Sequence, residues 1–358
     1  MAEKKDEPSI TIGPRALRGR VADRKPRPTA SGQALPSAKE SPVPRPDVPK
    51  SRAPRSRARP ADGASGALTP LRDGAQLFWT SEGAGAPAVL LCDGLGCDGF
   101  IWRYLEPALS QRHRVVHWHY PGHGRSPPPS ETRAISIPRF ADDAVAVLDA
   151  ARVKRAVIIG HSMGVQVALE MHRRHRARVE ALVLVCGSPG RPLDTFHDTT
   201  VLRSLLPLLR KATEALPQGV SALTRAAVRS GLALQVALHF EVNPELVHRE
   251  DLEPYFAHLL AMDPRLFLRT MQAASVHSAE DHLSAVDVPT LVVGGDRDHF
   301  TPPWLSRRMA QAIPDAELCM VSGGSHTTPL EAPELVDRAV ADFLRRRVSE
   351  CHTGASPA

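Results

Sequence analysis

The sequence predicts an α/β fold with a mostly parallel, doubly wound sheet, an inserted helical cap and a disordered N-terminal tail. From residue 68 onward, short apolar runs alternate with segments of helical composition, and several of the runs, such as 88–92 and 181–186, are apolar throughout. Continuous apolar strands that alternate with helices are typical of a parallel sheet covered by helices on both faces. A long stretch of helical composition that interrupts this alternation predicts the cap.

The strands and helices follow one another in a regular order. Strand-like runs occupy residues 75–80, 88–92, 114–118, 157–159, 181–186, 289–294 and 317–321, and the first of them alternates like an edge strand. Helices are expected near 101–111, through 140–148, from 165 to about 175, near 304–312 and near 332–347. Because the parallel strands share one orientation, catalytic residues should lie at their carboxyl ends.

The interruption covers residues 190–278, which show no obvious strand. Its composition is helical, with leucines at 202, 205, 206, 208 and 209 and a second apolar group formed by Leu232, Leu234, Val236 and Leu238. The simplest placement for such an insertion between two strands is a helical cap over the site. Its apolar faces are interpreted as core and pocket lining rather than as a membrane anchor. A solvated helix face is expected for its arginines, Arg203, Arg210, Arg225 and Arg229.

The N-terminal tail, residues 1–66, differs in composition from the domain at 67–347. It contains no Phe, Trp or Tyr, is rich in Pro and Arg, and carries 15 Lys and Arg against 7 Asp and Glu. Such a segment buries too little apolar surface to offset the entropy of ordering, so it is predicted to be disordered, as is the C-terminus at 348–358. The tail has a net charge of +8 and the whole chain +6, which leaves −2 for the remainder.

Three interpretations of the tail stay open: a solubilising leader, electrostatic attachment to an anionic partner such as a membrane surface, nucleic acid or an acidic protein, and a transit peptide, which Glu3, Asp6 and Glu7 disfavour. The absence of aromatic residues argues against base stacking, so no specific nucleic acid is expected. No secretory signal and no spanning segment of roughly 18 apolar residues is present. The five cysteines lack metal-like spacing and fit buried thiols in a reducing compartment. The sequence therefore predicts a cytoplasmic protein without a transmembrane helix.

The motif that indicates a chemistry is Gly160-His161-Ser162-Met163-Gly164. It follows the apolar run 157–159 and precedes the helical segment 165–171. Strand, Gly-x-Ser-x-Gly and helix form a sharp turn, in which the two glycines let the backbone pass closely and the serine hydroxyl is lifted clear of the sheet. The start of the helix beside it favours negative charge.

A serine hydroxyl needs a base to accept its proton and a carboxylate to orient that base. Two later strand ends offer these groups. Asp296 and Asp298 follow the strand at 289–294, and His326 follows the strand at 317–321. Three strand ends thus carry Ser, Asp and His in the chain order of a known catalytic triad.

These segments resemble the α/β-hydrolase superfamily, specifically its capped, alpha/beta-hydrolase-1-like branch, over residues from about 68 to 347. The resemblance implies that Ser162 is the nucleophile, His326 the base and Asp298 the orienting acid. Asp298 matches the acid of the family's Gly-Glu/Asp-x-Asp pattern, and Asp296 matches the position before it. The resemblance calls for no metal and no organic cofactor. Structural roles are expected for three other histidines, His123, His161 and His299.

An oxyanion hole needs two N–H donors aimed at the carbonyl oxygen. The backbone amide of Met163, directly after the nucleophile, and that of Leu95, in the loop after the strand at 88–92, match the family's donors. Asp93 stands where the family often has histidine, and a carboxylate charge close to a developing oxyanion would be unfavourable. His119 is a second departure, at a position where aspartate is common and which affects loop support.

The expected reaction is hydrolysis of a carboxylic ester or lactone through an acyl-enzyme on Ser162. The same triad would serve a carbon–carbon bond hydrolase, a thioesterase, an acyltransferase or a cofactor-free peroxidase. A receptor that keeps the fold but turns over slowly is an alternative of another class. The leucine-rich cap favours a small-molecule substrate with an apolar acyl or alkyl group, and few aromatic residues are available to stack on a ring.

Overall fold

The strands form one sheet in the part of the chain that the structure describes. A computed structural model describes residues 10–12, 66–130, 133–194, 201–230 and 242–348. The strands are β1 (Ile10–Ile12), β2 (Ala67–Pro70), β3 (Gln76–Glu82), β4 (Val89–Cys92), β5 (Val115–Trp118), β6 (Ala156–His161), β7 (Val179–Val185), β8 (Thr290–Gly295) and β9 (Ala316–Val321). Their order in the sheet is β1-β9-β8-β7-β6-β4-β5-β3-β2. The six strands β4 to β9 pair in parallel and the remaining pairs are antiparallel, so the predicted mostly parallel sheet is confirmed.

Helices cover both faces of this sheet. They are α1 (Leu105–Ser110), α2 (Ile137–Ala150), α3 (Met163–His175), α4 (Val201–Ala215), α5 (Pro217–Arg229), α6 (Arg249–Ala261), α7 (Pro264–Val276), α8 (Pro303–Ala312), α9 (Thr328–Glu331) and α10 (Pro333–Arg347). Successive strand residues point to opposite faces. Leu90 and Ile158 accordingly pack in one core with α2, α3 and α8, while Leu91 and Ile159 pack in the other with α1 and α10. The doubly wound arrangement follows from this alternation.

The margins of the sheet differ from the prediction. The segment predicted as an edge strand is β3, which lies one strand in from the edge because β2 pairs with it, Ala67 opposite Trp79. Of the predicted tail, residues 10–12 form β1 on the other edge, against β9. Disorder was expected there, but Ile-Thr-Ile is β-branched at every position and suits a strand. Residues 1–9, 13–65 and 349–358 lie outside the described residues.

The insertion between β7 and β8 is helical, as predicted, and its described parts contain α4 to α7 and no strand. The predicted packing of its leucines is wrong in part. Leu206 is buried, whereas Leu205, Leu208 and Leu209 are exposed. The reason is that the described part of α4 packs chiefly against α7, and the buried Leu206 and the hydrogen bond from Arg210 to Gln272 of α7 mark the side that faces it. The side chain of Leu202 and the whole run 232–238 lie outside the described residues.

Both ends of the insertion are held by one side chain. Gln166 lies in the first turn of α3, and its Nε2 donates hydrogen bonds to the carbonyl oxygens of Gly190 (2.7 Å) and Ala274 (3.0 Å). Gly190 follows β7, and Ala274 belongs to the last turn of α7. The cap is therefore fastened directly to the helix that begins after Ser162. None of the described helices combines the length and the apolar character that a bilayer crossing requires.

Candidate active site

Ser162 occupies a sharp turn between β6 and α3. Its backbone has φ 54° and ψ −116°, a conformation that L-residues rarely adopt. Only glycine fits at residues 160 and 164, two positions before and two positions after the serine. A Cβ on Gly160 would collide with the carbonyl of Gly164, and one on Gly164 would collide with the carbonyl of Cys92. The predicted nucleophile elbow geometry is thus present, with α3 starting at Met163.

The structure brings Ser162, His326 and Asp298 together from three different strand ends. Ser162 Oγ lies 3.0 Å from His326 Nε2, and His326 Nδ1 lies 3.1 Å from Asp298 Oδ2. Asp298 and His326 are buried. These distances form a continuous hydrogen-bonded chain from the hydroxyl to the carboxylate, which is the arrangement that activates a serine.

Asp298 is held as a carboxylate by several donors. The amides of Phe300 (2.9 Å) and Thr301 (2.7 Å) donate to Oδ1, and the Thr301 hydroxyl donates to Oδ2 (2.7 Å). Burial alone would raise the pKa of Asp298, but the charge of His326 and these hydrogen bonds outweigh it and lower that pKa. Asp296, in contrast, is exposed and accepts a hydrogen bond from the amide of Gly323 (2.7 Å). Asp298 is therefore the aspartate that contacts the histidine.

The loop after β4 passes beside the serine. A Cβ on Gly94 would lie 3.1 Å from Ser162 Cβ. Neither the amide of Leu95 nor that of Met163 donates a hydrogen bond to another group in the described residues. The amide of Met163 also opens α3, where the helix dipole favours negative charge. Both amides are thus available for an oxygen bound next to Ser162.

Asp93 is fully buried and its charge is balanced. Trp102 Nε1 donates to its Oδ1 (2.6 Å), and His117 Nε2 lies 3.0 Å from its Oδ2. Burial alone would raise the pKa of Asp93, but the charge and hydrogen bond of His117 outweigh it and lower that pKa. Burial alone would lower the pKa of His117, but Asp93 raises it to about 9. Asp93 and His117 therefore form a buried ion pair, so the charge of Asp93 is compensated close to the amides of Leu95 and Met163.

We expect Asp93→Asn to destabilise the protein by about 3 kcal/mol at pH 6, because the pKa of His117 would return toward its ordinary value and each unit corresponds to about 1.4 kcal/mol. The raised pKa of His117 stabilises the fold fully below its ordinary value of 6.5, and this contribution is lost as pH rises through about 9. The difference between wild type and variant should therefore shrink between pH 6.5 and 9. Urea unfolding across this range measures it. In a protein that already carries His117→Gln, Asp93→Asn should lower the free energy of unfolding much less. An equal loss in both proteins would exclude the ion pair as the cause.

The three other histidines have structural surroundings. His161 Nε2 donates to the backbone carbonyl of His326 (2.9 Å), and burial lowers the pKa of His161 to about 3, so it is neutral. His123 Nδ1 donates to the carbonyl of Pro121 (3.2 Å). His299 is exposed and does not line the cavity described below. At the second departure from the family pattern, His119 Nδ1 accepts a hydrogen bond from the amide of Arg125 (2.8 Å), which supports the loop.

Glu331 is a residue that the sequence analysis missed. Its carboxylate accepts hydrogen bonds from the amide (2.6 Å) and hydroxyl of Ser325, from the hydroxyl of Thr327 (3.0 Å) and from the amide of Asn243 (2.7 Å). Ser325 and Thr327 flank His326, so Glu331 fixes the loop that presents the imidazole. The spacing of five residues between the histidine and a glutamate was the signal available in the sequence.

A cavity of about 190 Å³ opens above Ser162 and His326. Its walls are mainly apolar and come from the sheet edge and from the cap. Five aromatic residues line it: Phe100, Tyr255, Phe256, Phe267 and Phe300. The expectation that few aromatic residues would be available is therefore wrong, because the chain gathers a large share of its few aromatics here. Among the residues of α4 and α5 whose side chains the structure describes, none lines this cavity, and the exposed Arg225 and Arg229 face away from the core.

The family model described as the alpha/beta hydrolase fold matches residues 87–333. A relative from Azorhizobium caulinodans, named as a putative carbamate hydrolase, RutD, is 29% identical over 271 residues, which cover 75% of this chain and 95% of the relative. A solved structure of a hydrolase from Pseudomonas aeruginosa PA01 aligns with a TM-score of 0.61 at 25% identity, covering 80% of this chain and 99% of that one. Est816, described as an N-acyl homoserine lactone degrading enzyme, aligns with a TM-score of 0.60 at 25% identity, covering 76% and 98%.

The family match covers well over half of the chain and includes the elbow, both aspartates and His326. The sheet order and the helices on both faces agree with that match. The chain therefore belongs to the alpha/beta hydrolase family, and it is a hydrolase of that fold.

Proposed function

We propose that the protein is a serine hydrolase that cleaves a carboxylic ester or lactone through an acyl-enzyme on Ser162. The observation that carries the proposal is the chain of contacts from Ser162 Oγ to His326 Nε2 (3.0 Å) and from His326 Nδ1 to Asp298 (3.1 Å) beneath an apolar cavity. A hydroxyl, an imidazole and a carboxylate in this order supply a nucleophile, a general base and an orienting group.

In the first half of the reaction, His326 accepts the proton of Ser162 Oγ while that oxygen attacks the carbonyl carbon. The amides of Leu95 and Met163 stabilise the negative charge on the carbonyl oxygen. His326 then donates the proton to the leaving alcohol oxygen. In the second half, His326 accepts a proton from water while that water attacks the carbonyl carbon of the acyl group. His326 then returns the proton to Ser162 Oγ as the bond between Oγ and the acyl carbon breaks and the acid leaves. Asp298 keeps Nδ1–H of His326 directed toward itself and stabilises the charged imidazole.

The substrate is proposed to be a small molecule with an apolar acyl or alkyl group. The cavity volume of about 190 Å³ and its aromatic and aliphatic walls support this choice. Carbamates are also acyl compounds, and the relative from Azorhizobium caulinodans is named for carbamate hydrolysis. Est816 is described as degrading a lactone. Attack by Ser162 on either carbonyl would follow the same steps.

A cytoplasmic location is proposed as well. Cys92, Cys97, Cys186 and Cys319 are free and buried, which suits a reducing compartment. The basic tail is proposed to add electrostatic attraction to an anionic surface, on the strength of its net charge of +8.

The test is covalent labelling of the purified full chain with a fluorophosphonate, followed by mass mapping of the modified residue. We expect one label per chain, on Ser162, and none on heat-denatured protein. Turnover is then measured with p-nitrophenyl esters from acetate to octanoate, an N-acyl homoserine lactone and an aryl carbamate. Labelling of Ser162 without turnover of any ester or lactone would overturn the ester and lactone proposal and favour the other chemistries of this triad or a receptor. Absence of labelling would overturn the nucleophile itself.

A further inference from the structure

We infer that the outer face of α4 and α5 docks on an anionic lipid surface. The face consists of five exposed leucines, Leu205, Leu208, Leu209, Leu216 and Leu223, and we call it the leucine face. Their exposed fractions run from 44% to 71%. Exposed leucines are ordinary when scattered singly, but contiguous apolar surface marks an interaction site.

Helical spacing places three of these leucines, Leu205, Leu208 and Leu209, on one side of α4 at i, i+3 and i+4. Leu216 directly follows the helix, its amide donates a hydrogen bond to the carbonyl of Ala212 (2.9 Å), and it continues the stripe at i+11. The side of α4 that carries Leu206 is buried and faces α7. Arg210 on α4 reaches Gln272 of α7 with a hydrogen bond.

The leucine face therefore lies on the outside of the described part of the cap. The cavity is lined by α7, through Phe267, Met271 and Ala274, and by none of the side chains that the structure describes in α4 and α5. The leucine face accordingly serves neither the core nor substrate binding within the described residues.

Charge distinguishes these helices from the rest of the domain. Residues 201–230 contain five Arg and Lys and a single acid, Glu214, whereas the other residues of 67–358 contain 25 Arg and Lys against 31 Asp and Glu. Arg210 pairs with Glu214 (3.3 Å). Lys211, Arg225 and Arg229 are exposed, and no carboxylate in the described part of the chain pairs with them. Unpaired cations around exposed leucines fit a partner that is apolar inside and anionic at its surface.

An anionic bilayer has both properties. A helix that lies in the interface plane places leucines at the boundary of the acyl chains and lysines and arginines at the lipid phosphates. Nucleic acid would satisfy the cations but leave the leucines in water. The 15 residues of α4 and the 13 of α5 are too few to span a bilayer, so the contact is peripheral.

The test is flotation of the full chain with vesicles of phosphatidylcholine alone and of equimolar phosphatidylcholine and phosphatidylglycerol. We expect binding to the anionic vesicles only. The variant Leu208→Ser/Leu216→Ser/Leu223→Ser should weaken it by at least about tenfold, because three apolar side chains no longer leave water. The variant Lys211→Gln/Arg225→Gln/Arg229→Gln should weaken it by about fivefold per charge removed.

Leu68→Ser is the matched control, because Leu68 is an exposed leucine (51%) on β2, outside the cap. It should bind anionic vesicles as the wild type does. The basic tail is present in every variant, so binding driven by the tail alone would be the same in all of them. Equal binding of the wild type and the triple leucine variant would therefore overturn the inference.

Insertion of the leucine face into the bilayer is measured separately, by tryptophan fluorescence. When anionic vesicles are added, the tryptophan emission of Leu208→Trp should shift to shorter wavelength by more than the emission of the wild type does. No shift would overturn the inference even if the protein binds. The alternative occupant is a second copy of the chain: a dimer in solution that the triple leucine variant abolishes would also overturn it. Circular dichroism of each variant verifies the fold.

Discussion

Ser162→Ala is expected to lower kcat on p-nitrophenyl esters by about a millionfold, while KM changes little. The reason is geometric: Ser162 Oγ is the hydroxyl hydrogen-bonded to His326 Nε2 (3.0 Å), and a methyl group there cannot form the acyl-enzyme. The residual rate should still exceed that of water alone, since the amides of Leu95 and Met163 remain. Steady-state kinetics on enzyme purified with fresh resin and plasticware measures this, because trace wild type would mask so large a loss.

Ser162 and His326 should not act independently. His326→Ala alone should lower kcat about as much as Ser162→Ala does. The double variant should be no slower than either single variant, because each group works only through the other. Ser188→Ala is a control within the same cavity. Ser188 Oγ accepts a hydrogen bond from the amide of Gly190 (3.2 Å), so its loss should affect kcat far less. Additive losses in the double variant would contradict a shared mechanism.

Asp298→Asn is expected to lower kcat by about ten-thousandfold. A carboxylate accepts Nδ1–H of His326, whereas the asparagine NH₂ can donate to Nδ1 and favour the tautomer with its proton on Nε2. That proton would face Ser162 Oγ, and the imidazole could no longer accept from it. The measurement is kcat across a pH series, together with unfolding to verify that the variant is folded.

Asp296→Asn is the matched control, since Asp296 lies two residues away and its carboxylate accepts a hydrogen bond from the amide of Gly323 (2.7 Å) instead of contacting His326. It should keep nearly full activity. If Asp296→Asn were the more damaging change, the assignment of the acid would be reversed. For Asp298 the lowered pKa means that its contribution to stability is complete above the ordinary value of 3.8 and is lost as pH falls through the lowered pKa. The carboxylate is thus ionised throughout the neutral range.

Much of this arrangement follows from local sequence. The parallel strands are predominantly apolar, and each proposed catalytic group lies in the loop or turn that follows one of them, so Ser162, Asp298 and His326 could be named before any coordinates. The choice between Asp296 and Asp298 rested on resemblance, and the contact with His326 gives it a physical basis. What local patterns cannot provide is the partner of a buried group. Nothing in the sequence around Asp93 indicates that His117, on a neighbouring strand, balances its charge.

The cavity and the cap show a second limit. The aromatic residues of the cavity come singly from distant segments of the chain. No single stretch of sequence therefore shows the cluster that Phe100, Tyr255 and Phe300 form in space. The leucine spacing of α4 correctly predicted an amphipathic helix. The spacing did not indicate whether another element covers these leucines. A helix that packs against one neighbour can leave a second apolar strip exposed beside the buried one.

Gln166 gives the insertion a property that its length alone would not suggest. Because one amide nitrogen holds Gly190 and Ala274 together, the whole cap leaves and re-enters the domain at nearly one point. A segment with such a short distance between its ends could be replaced by another helical module with the same separation, provided that the new module also supplies the amide that Asn243 donates to Glu331. We expect such a replacement to change the substrate preference, with Gln166 as the fixed attachment.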